Sequence, residues 1–220
     1  MNHLVLLGDS VFDNAAYVPG GPDVRSQLQA ALPAGWQSTL LARDGSVTRD
    51  VATQMQRLPA TATHLIVSAG GNDALLEAPV LTHPVDSVAT AMERMAAVTR
   101  RFENNYRAML QAVLGARKPT AVCTIYEPRF PEPAMQLQTC AALKFFNDTL
   151  LRIAIEFGVP VLDLRLICAD DACYANPIEP SVVGGQRITT AILDLVTRHD
   201  FSCPRTTVFG ITLGQIQPKI

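Results

Sequence analysis

Five short apolar runs, at residues 4–7, 38–42, 65–68, 121–125 and 159–162, are each followed by turn residues and then by a helix-like pattern. Strands that are apolar throughout need cover on both faces, and helices returning between them supply it. The alternation therefore predicts an α/β fold built on a parallel sheet. The helical segments fall at 22–32, 48–58, 86–115, 134–157 and 184–198. In the longest of them Val88, Met92, Met95, Phe102, Tyr106, Met109 and Val113 step by three, four or seven, which marks a core-facing stripe. The last helix repeats the period through Ile188, Ala191, Ile192 and Leu195, with Ser181 placed to cap its start. There is no internal repeat or break in composition, so a single domain over residues 1–200 is expected. Residues 201–220, which are less patterned, form a C-terminal extension.

The composition narrows the function classes. Hydrophobic residues make up 48% of the 220 and charged residues 17%, enough apolar side chain for a sizeable core and too much for disorder. A formal net charge of -2 gives no general attraction to nucleic acid or to an anionic membrane. No apolar stretch reaches the roughly 18–20 residues that span a bilayer. Residues 4–7 are also too short for the apolar region of a signal peptide, roughly 7–15 residues, so a cytoplasmic protein is the expectation. The cysteines at 123, 140, 168, 173 and 203 are odd in number. Cys168 and Cys173 are close enough to pair, but free thiols fit a reducing compartment better. Without a Cys-x-x-Cys, and with four scattered histidines, no metal or other cofactor is expected.

Chemistry concentrates at two strand ends. The first run leads straight into Gly8-Asp9-Ser10, where Gly8 lets the backbone turn sharply and Ser10 takes the carboxyl end of the strand. Open α/β sheets bind their ligands at that edge. The third run leads into Gly70-Gly71-Asn72-Asp73. In these motifs the chain resembles the SGNH, or GDSL, hydrolases over roughly residues 4 to 198. Gly8-Asp9-Ser10 matches the family's first block and Gly70-Gly71-Asn72-Asp73 its third. Gly45, in Ala42-Arg43-Asp44-Gly45, stands for the lone glycine of the second. The resemblance implies a flavodoxin-like, doubly wound sheet of five parallel strands with Ser10 as nucleophile. It assigns the oxyanion donors to the backbone N–H groups of Ser10 and Gly45 and to the Asn72 side-chain amide. An amide donates to the developing charge without competing as a base. Taken singly, Ser10 also reads as a helix cap, and Gly45 and Asn72 as turn residues. Their joint occurrence favours a site.

The family's last block, Asp-x-x-His-Pro, is altered. Asn176 stands at the aspartate position and Glu179 at the histidine position, followed by Pro180. Three readings stay open. Glu179 can itself be the base, its reference pKa of about 4.3 raised by burial against Pro177 and Pro180, with Asn176 orienting it. His83, after the third strand, can substitute, since His3, His64 and His199 fall elsewhere. Or the site binds a ligand without turnover. Asp9, Asp73, His83 and Tyr126 sit at the same edge and are expected to contact substrate. The expected activity is hydrolysis of a carboxylic ester, such as a small acyl ester, an acetylated sugar or a thioester, through an acyl-Ser10 intermediate. The alternative is a non-catalytic ligand-binding module on the same scaffold. A small-molecule ester is the expected partner, with no nucleic acid and no membrane span; the oligomeric state is not legible.

Overall fold

The computed structural model describes residues 1–210. In chain order its strands and α-helices are β1 (Asn2–Gly8), α1 (Val24–Ala31), β2 (Trp36–Leu40), α2 (Val51–Met55), β3 (His64–Ser68), α3 (Gly71–Glu77), α4 (Val88–Leu114), β4 (Thr120–Cys123), α5 (Pro133–Glu156), β5 (Val161–Leu162), α6 (Leu164–Ile167), α7 (Val182–Arg198) and β6 (Val208–Phe209). The six strands form one all-parallel sheet in the order β2-β1-β3-β4-β5-β6. Five strands were expected from the sequence. The sixth, β6, lies in the expected C-terminal extension and pairs Val208 and Phe209 with Val161 and Leu162. Residues 211–220 of that extension lie outside the described residues.

Side-chain alternation along β1 divides the core. Leu4 and Leu6 pack on one face with Val24, Leu28, Ile188, Ile192 and Leu195 of α1 and α7. Val5 and Leu7 pack on the other with Phe102, Tyr106, Leu110, Leu150 and Ile153 of α4 and α5. Both sets are fully buried, which is why strand and helix patterning were so plain in the sequence. The long helix departs from its expected stripe at one end: Val88 is 78% exposed and Met92 47%. Its 27 residues span about 40 Å, against roughly 17 Å for a five-residue strand, so its first turns overhang the sheet.

The chain moves to one side of β1 to form β2 and then crosses to the other side to form β3. A crevice opens at the carboxyl ends of β1 and β3, where the strand order reverses, and such switch points hold the ligand in open α/β sheets. The turn after β1 and the turn after β3 both empty into it. The second of these starts α3, a short helix that the Gly70-Gly71 pair hides from sequence patterning.

Candidate active site

The nucleophile turn is held tightly. Gly8 adopts φ 119°, and a Cβ there would meet the Ser68 carbonyl oxygen at 1.7 Å, so only glycine fits between β1 and β3. Gln54 of α2 clamps the same residue from the other side. Its Oε1 accepts from the Gly8 N–H at 2.8 Å, and its Nε2 donates to the Gly8 carbonyl at 2.8 Å. Ser10 follows, buried, with its hydroxyl turned toward the last loop.

There the Ser10 hydroxyl donates to Glu179 Oε1 at 3.0 Å, across 169 positions of sequence. Glu179 is itself buried, and its Oε2 has no hydrogen-bond partner among the described residues. Burial pushes its carboxyl up to about 7; the Ser10 hydrogen bond opposes the shift, and the nearby charge of Asp44 adds to it. Three side chains hold the Glu179 loop in register. Asn176 Oδ1 accepts from the backbone N–H groups of Ile178 and Glu179, at 2.9 and 3.0 Å. Asn176 thus shapes the turn through its backbone, where the sequence had suggested a bond orienting the carboxylate. Tyr126 donates its hydroxyl to the Ile178 carbonyl at 2.6 Å. Asn14 donates to the Pro180 carbonyl at 3.0 Å and accepts from the Val24 N–H at 2.9 Å, tying this loop to the segment that follows Ser10.

The turn bearing Gly45 is bound to α3. Asp73 accepts from both the backbone N–H and the hydroxyl of Thr48, at 2.9 and 2.7 Å. Asn72 donates through Nδ2 to the Ser46 carbonyl at 2.9 Å. Gly45 has φ 76°, and a Cβ added to it would point into open space. Among the described residues the backbone N–H groups of Ser10 and Gly45 have no hydrogen-bond partner, and neither has the second N–H of the Asn72 amide.

Ser10, Glu179, Asp9 and Asn72 line a cavity whose other walls include side chains of α3, α4 and α5. Asp9 accepts from the Val11 N–H at 3.2 Å. Its carboxyl is pushed up to about 7 by burial, partly offset by that bond and reinforced by the charges of Glu179 and Asp73. The other expected contact residues divide. Tyr126 lines the cavity, but its hydroxyl is spent on Ile178. Asp73 is buried, outside the cavity lining, with both carboxylate oxygens on Thr48. His83 lies in an exposed loop, and among the described residues no histidine lines the cavity. The histidine at the opposite end of β1, His3, is held by Thr61 and Thr39. Gln54 is a site-shaping residue that patterning could not single out, because it acts on the backbone of a residue 46 positions away. Cys168 and Cys173 are buried and unbridged. Among the described residues no cluster of His, Cys, Asp and Glu is arranged to hold a metal ion, and no helix is long and apolar enough to cross a membrane.

Solved structures share this fold at low sequence identity. An extracellular lipase from Streptomyces rimosus superposes with a TM-score of 0.62 at 18% identity, covering 88% of this chain and 99% of its own. A phospholipase A1 from Streptomyces albidoflavus gives 0.59 at 19%, covering 90% and 99%. An acetyl xylan esterase gives 0.63 at 15%, covering 88% and 99%. No curated protein matches the chain by sequence. The family model for GDSL-like lipases and acylhydrolases matches residues 6–186, a span that takes in Ser10, Gly45, Asn72 and Glu179. The chain belongs to the GDSL-like lipase/acylhydrolase family.

Proposed function

We propose that this chain is a serine hydrolase that cleaves a carboxylic ester through an acyl-Ser10 intermediate, with Glu179 as general base. Membership of a lipase and acylhydrolase family supports ester hydrolysis in general. The observation that carries the mechanism is the 3.0 Å hydrogen bond from Ser10 to a buried carboxylate whose pKa is lifted to about 7. A base is most effective with a pKa near the working pH, and burial raises this glutamate to that range.

As Ser10 Oγ attacks the ester carbonyl, its proton passes to Glu179 Oε1 and negative charge gathers on the carbonyl oxygen. The unpartnered N–H groups of Ser10 and Gly45 and the free N–H of Asn72 are the donors for that charge. Neutral Glu179 then returns the proton to the departing alcohol oxygen. Water, deprotonated by the same carboxylate, releases the acid and restores Ser10. The electrostatics also account for the change at Asn176. An imidazole base becomes cationic when it takes the proton, and an aspartate beside it stabilises that cation. A carboxylate base becomes neutral, so a neighbouring aspartate would oppose ionisation of the resting base. A neutral asparagine that organises the backbone suits it better.

Hydrolysis of p-nitrophenyl butyrate by the intact protein, beside Ser10→Ala and Glu179→Gln, tests the proposal. Ser10→Ala should remove about 10³-fold or more of kcat/KM, and Glu179→Gln about 10²–10⁴-fold. Full activity in Glu179→Gln would eliminate the carboxylate as base.

A further inference from the structure

The cavity beside Ser10 is lined mostly by apolar side chains, although Glu77 of α3 and Thr139 of α5 also reach it. Asp9, Ser10, Asn72 and Glu179 contribute polar atoms to the lining, while Met95 and Val98 of α4 and Ala142, Leu143 and Phe146 of α5 contribute apolar wall. Its volume is about 110 Å³, several times the roughly 10–15 Å³ that a single water requires on that measure. Water against these α4 and α5 side chains would face alkyl and aromatic groups, and leaving the space empty forfeits contacts along that wall. Leu75 and Met135, which line the same cavity, are 39% and 45% exposed, so the apolar surface continues to the outside. The ligand that suits this lining has a polar carbonyl group at Ser10 and an alkyl chain against the α4 and α5 side chains. The family resemblance does not choose the chain length, since the similar folds include both an acetyl xylan esterase and a lipase.

We propose that the cavity between α3, α4 and α5 is an acyl-chain site, and that the enzyme prefers linear acyl groups of about eight carbons to acetyl and butyryl groups. This rests on Ser10 being the nucleophile that takes the acyl group. Each methylene that enters the cavity should raise kcat/KM about fourfold, the equivalent of about 0.8 kcal/mol. Ala142 faces the cavity from α5 and takes no part in the proposed chemistry, so a larger side chain there shortens the available space.

The test is the Ser10-dependent hydrolysis of p-nitrophenyl acetate, butyrate, octanoate and dodecanoate by the intact protein and by Ala142→Phe, with Ala142→Leu as the milder variant. Calorimetric binding of octanoate to Ser10→Ala is measured in parallel. The expected result is a rise in kcat/KM from acetate to octanoate in the intact protein, and a fall of tenfold or more in the octanoate-to-acetate ratio of kcat/KM in Ala142→Phe. Ser10-dependent turnover that is best on acetate, or that rises only when the alcohol is lengthened, overturns the acyl-chain site and leaves Ser10 as nucleophile. Should no ester be turned over, the nucleophile assignment fails instead. Octanoate binding that Ala142→Phe abolishes would then keep the cavity as an alkyl-chain site, and absence of binding would remove it.

Discussion

Replacing Glu179 with glutamine changes stability in a way that depends on pH, and the direction follows from the burial of this side chain. The carboxyl has an ordinary pKa of 4.5 and is held at about 7 in the folded protein. A folded-state pKa above the unfolded value means that the folded protein holds the proton more tightly. Its stabilising contribution is complete below about pH 4.5 and is lost as pH rises to about 7. Two and a half pKa units correspond to about 3 kcal/mol. Asp9 repels Glu179 and titrates in the same range, so the pair shares this loss as coupled carboxylates do. Glutamine has nearly the same shape and cannot ionise. Its amide would stand where the unpartnered Oε2 now lies, a cost present at every pH and therefore absent from the comparison between pH values. Glu179→Gln should gain about 2–3 kcal/mol on the parent between pH 4.5 and pH 8.5. Urea unfolding at the two pH values, followed by circular dichroism, measures the difference, and the same samples give the loss of esterase activity. A stability difference that does not change with pH would refute the argument, because Glu179 would then ionise as freely folded as unfolded.

Four further outcomes are expected. The kcat/KM profile should rise through an apparent pKa of about 7 as Glu179 ionises, and Asp44→Asn should move that limb to lower pH by removing a neighbouring negative charge; a limb unmoved in Asp44→Asn would discount the Asp44 contribution. Gln54→Leu leaves the buried Gly8 N–H and carbonyl unpaired, which should cost about 2–3 kcal/mol in chemical denaturation. Tyr126→Phe removes the bond to the Ile178 carbonyl and should cost about 1 kcal/mol of stability, lowering kcat more than KM because the Glu179 loop loosens; steady-state kinetics separates the two parameters. His83→Ala should leave both activity and stability unchanged, and a large loss of turnover in that variant would return the histidine to the site.

Much of the fold is legible in the chain because it depends on short-range pattern. The apolar runs that became β1, β3 and β4 are buried on both faces, and the 3.6-residue period of α4 and α7 is set by the same faces that meet the sheet. Ser181 caps α7 by accepting from the Gly184 N–H, an interaction within four residues that local sequence can specify. Ser10 reaches the carboxyl edge of β1 for an equally local reason, since a strand followed by a glycine turn must end there.

Packing settled what pattern could not. β6 is two residues long, too short to carry a period, and exists because β5 offers it an edge. Asp73 and Tyr126 follow β3 and β4, as their places in the sequence require, yet their polar atoms are occupied by Thr48 and Ile178. His83 shares a sheet edge with Ser10 by topology, but an edge is wider than a hydrogen bond is long. The sequence by itself determined a parallel α/β scaffold and the strand end that carries Ser10. The tertiary structure decided that Glu179 and not His83 reaches it, how far burial lifts that carboxylate's pKa, and that a mostly apolar cavity opens beside it. Those properties depend on distances and solvent exclusion among residues as far apart in the chain as Ser10 and Glu179, and no local periodicity encodes them.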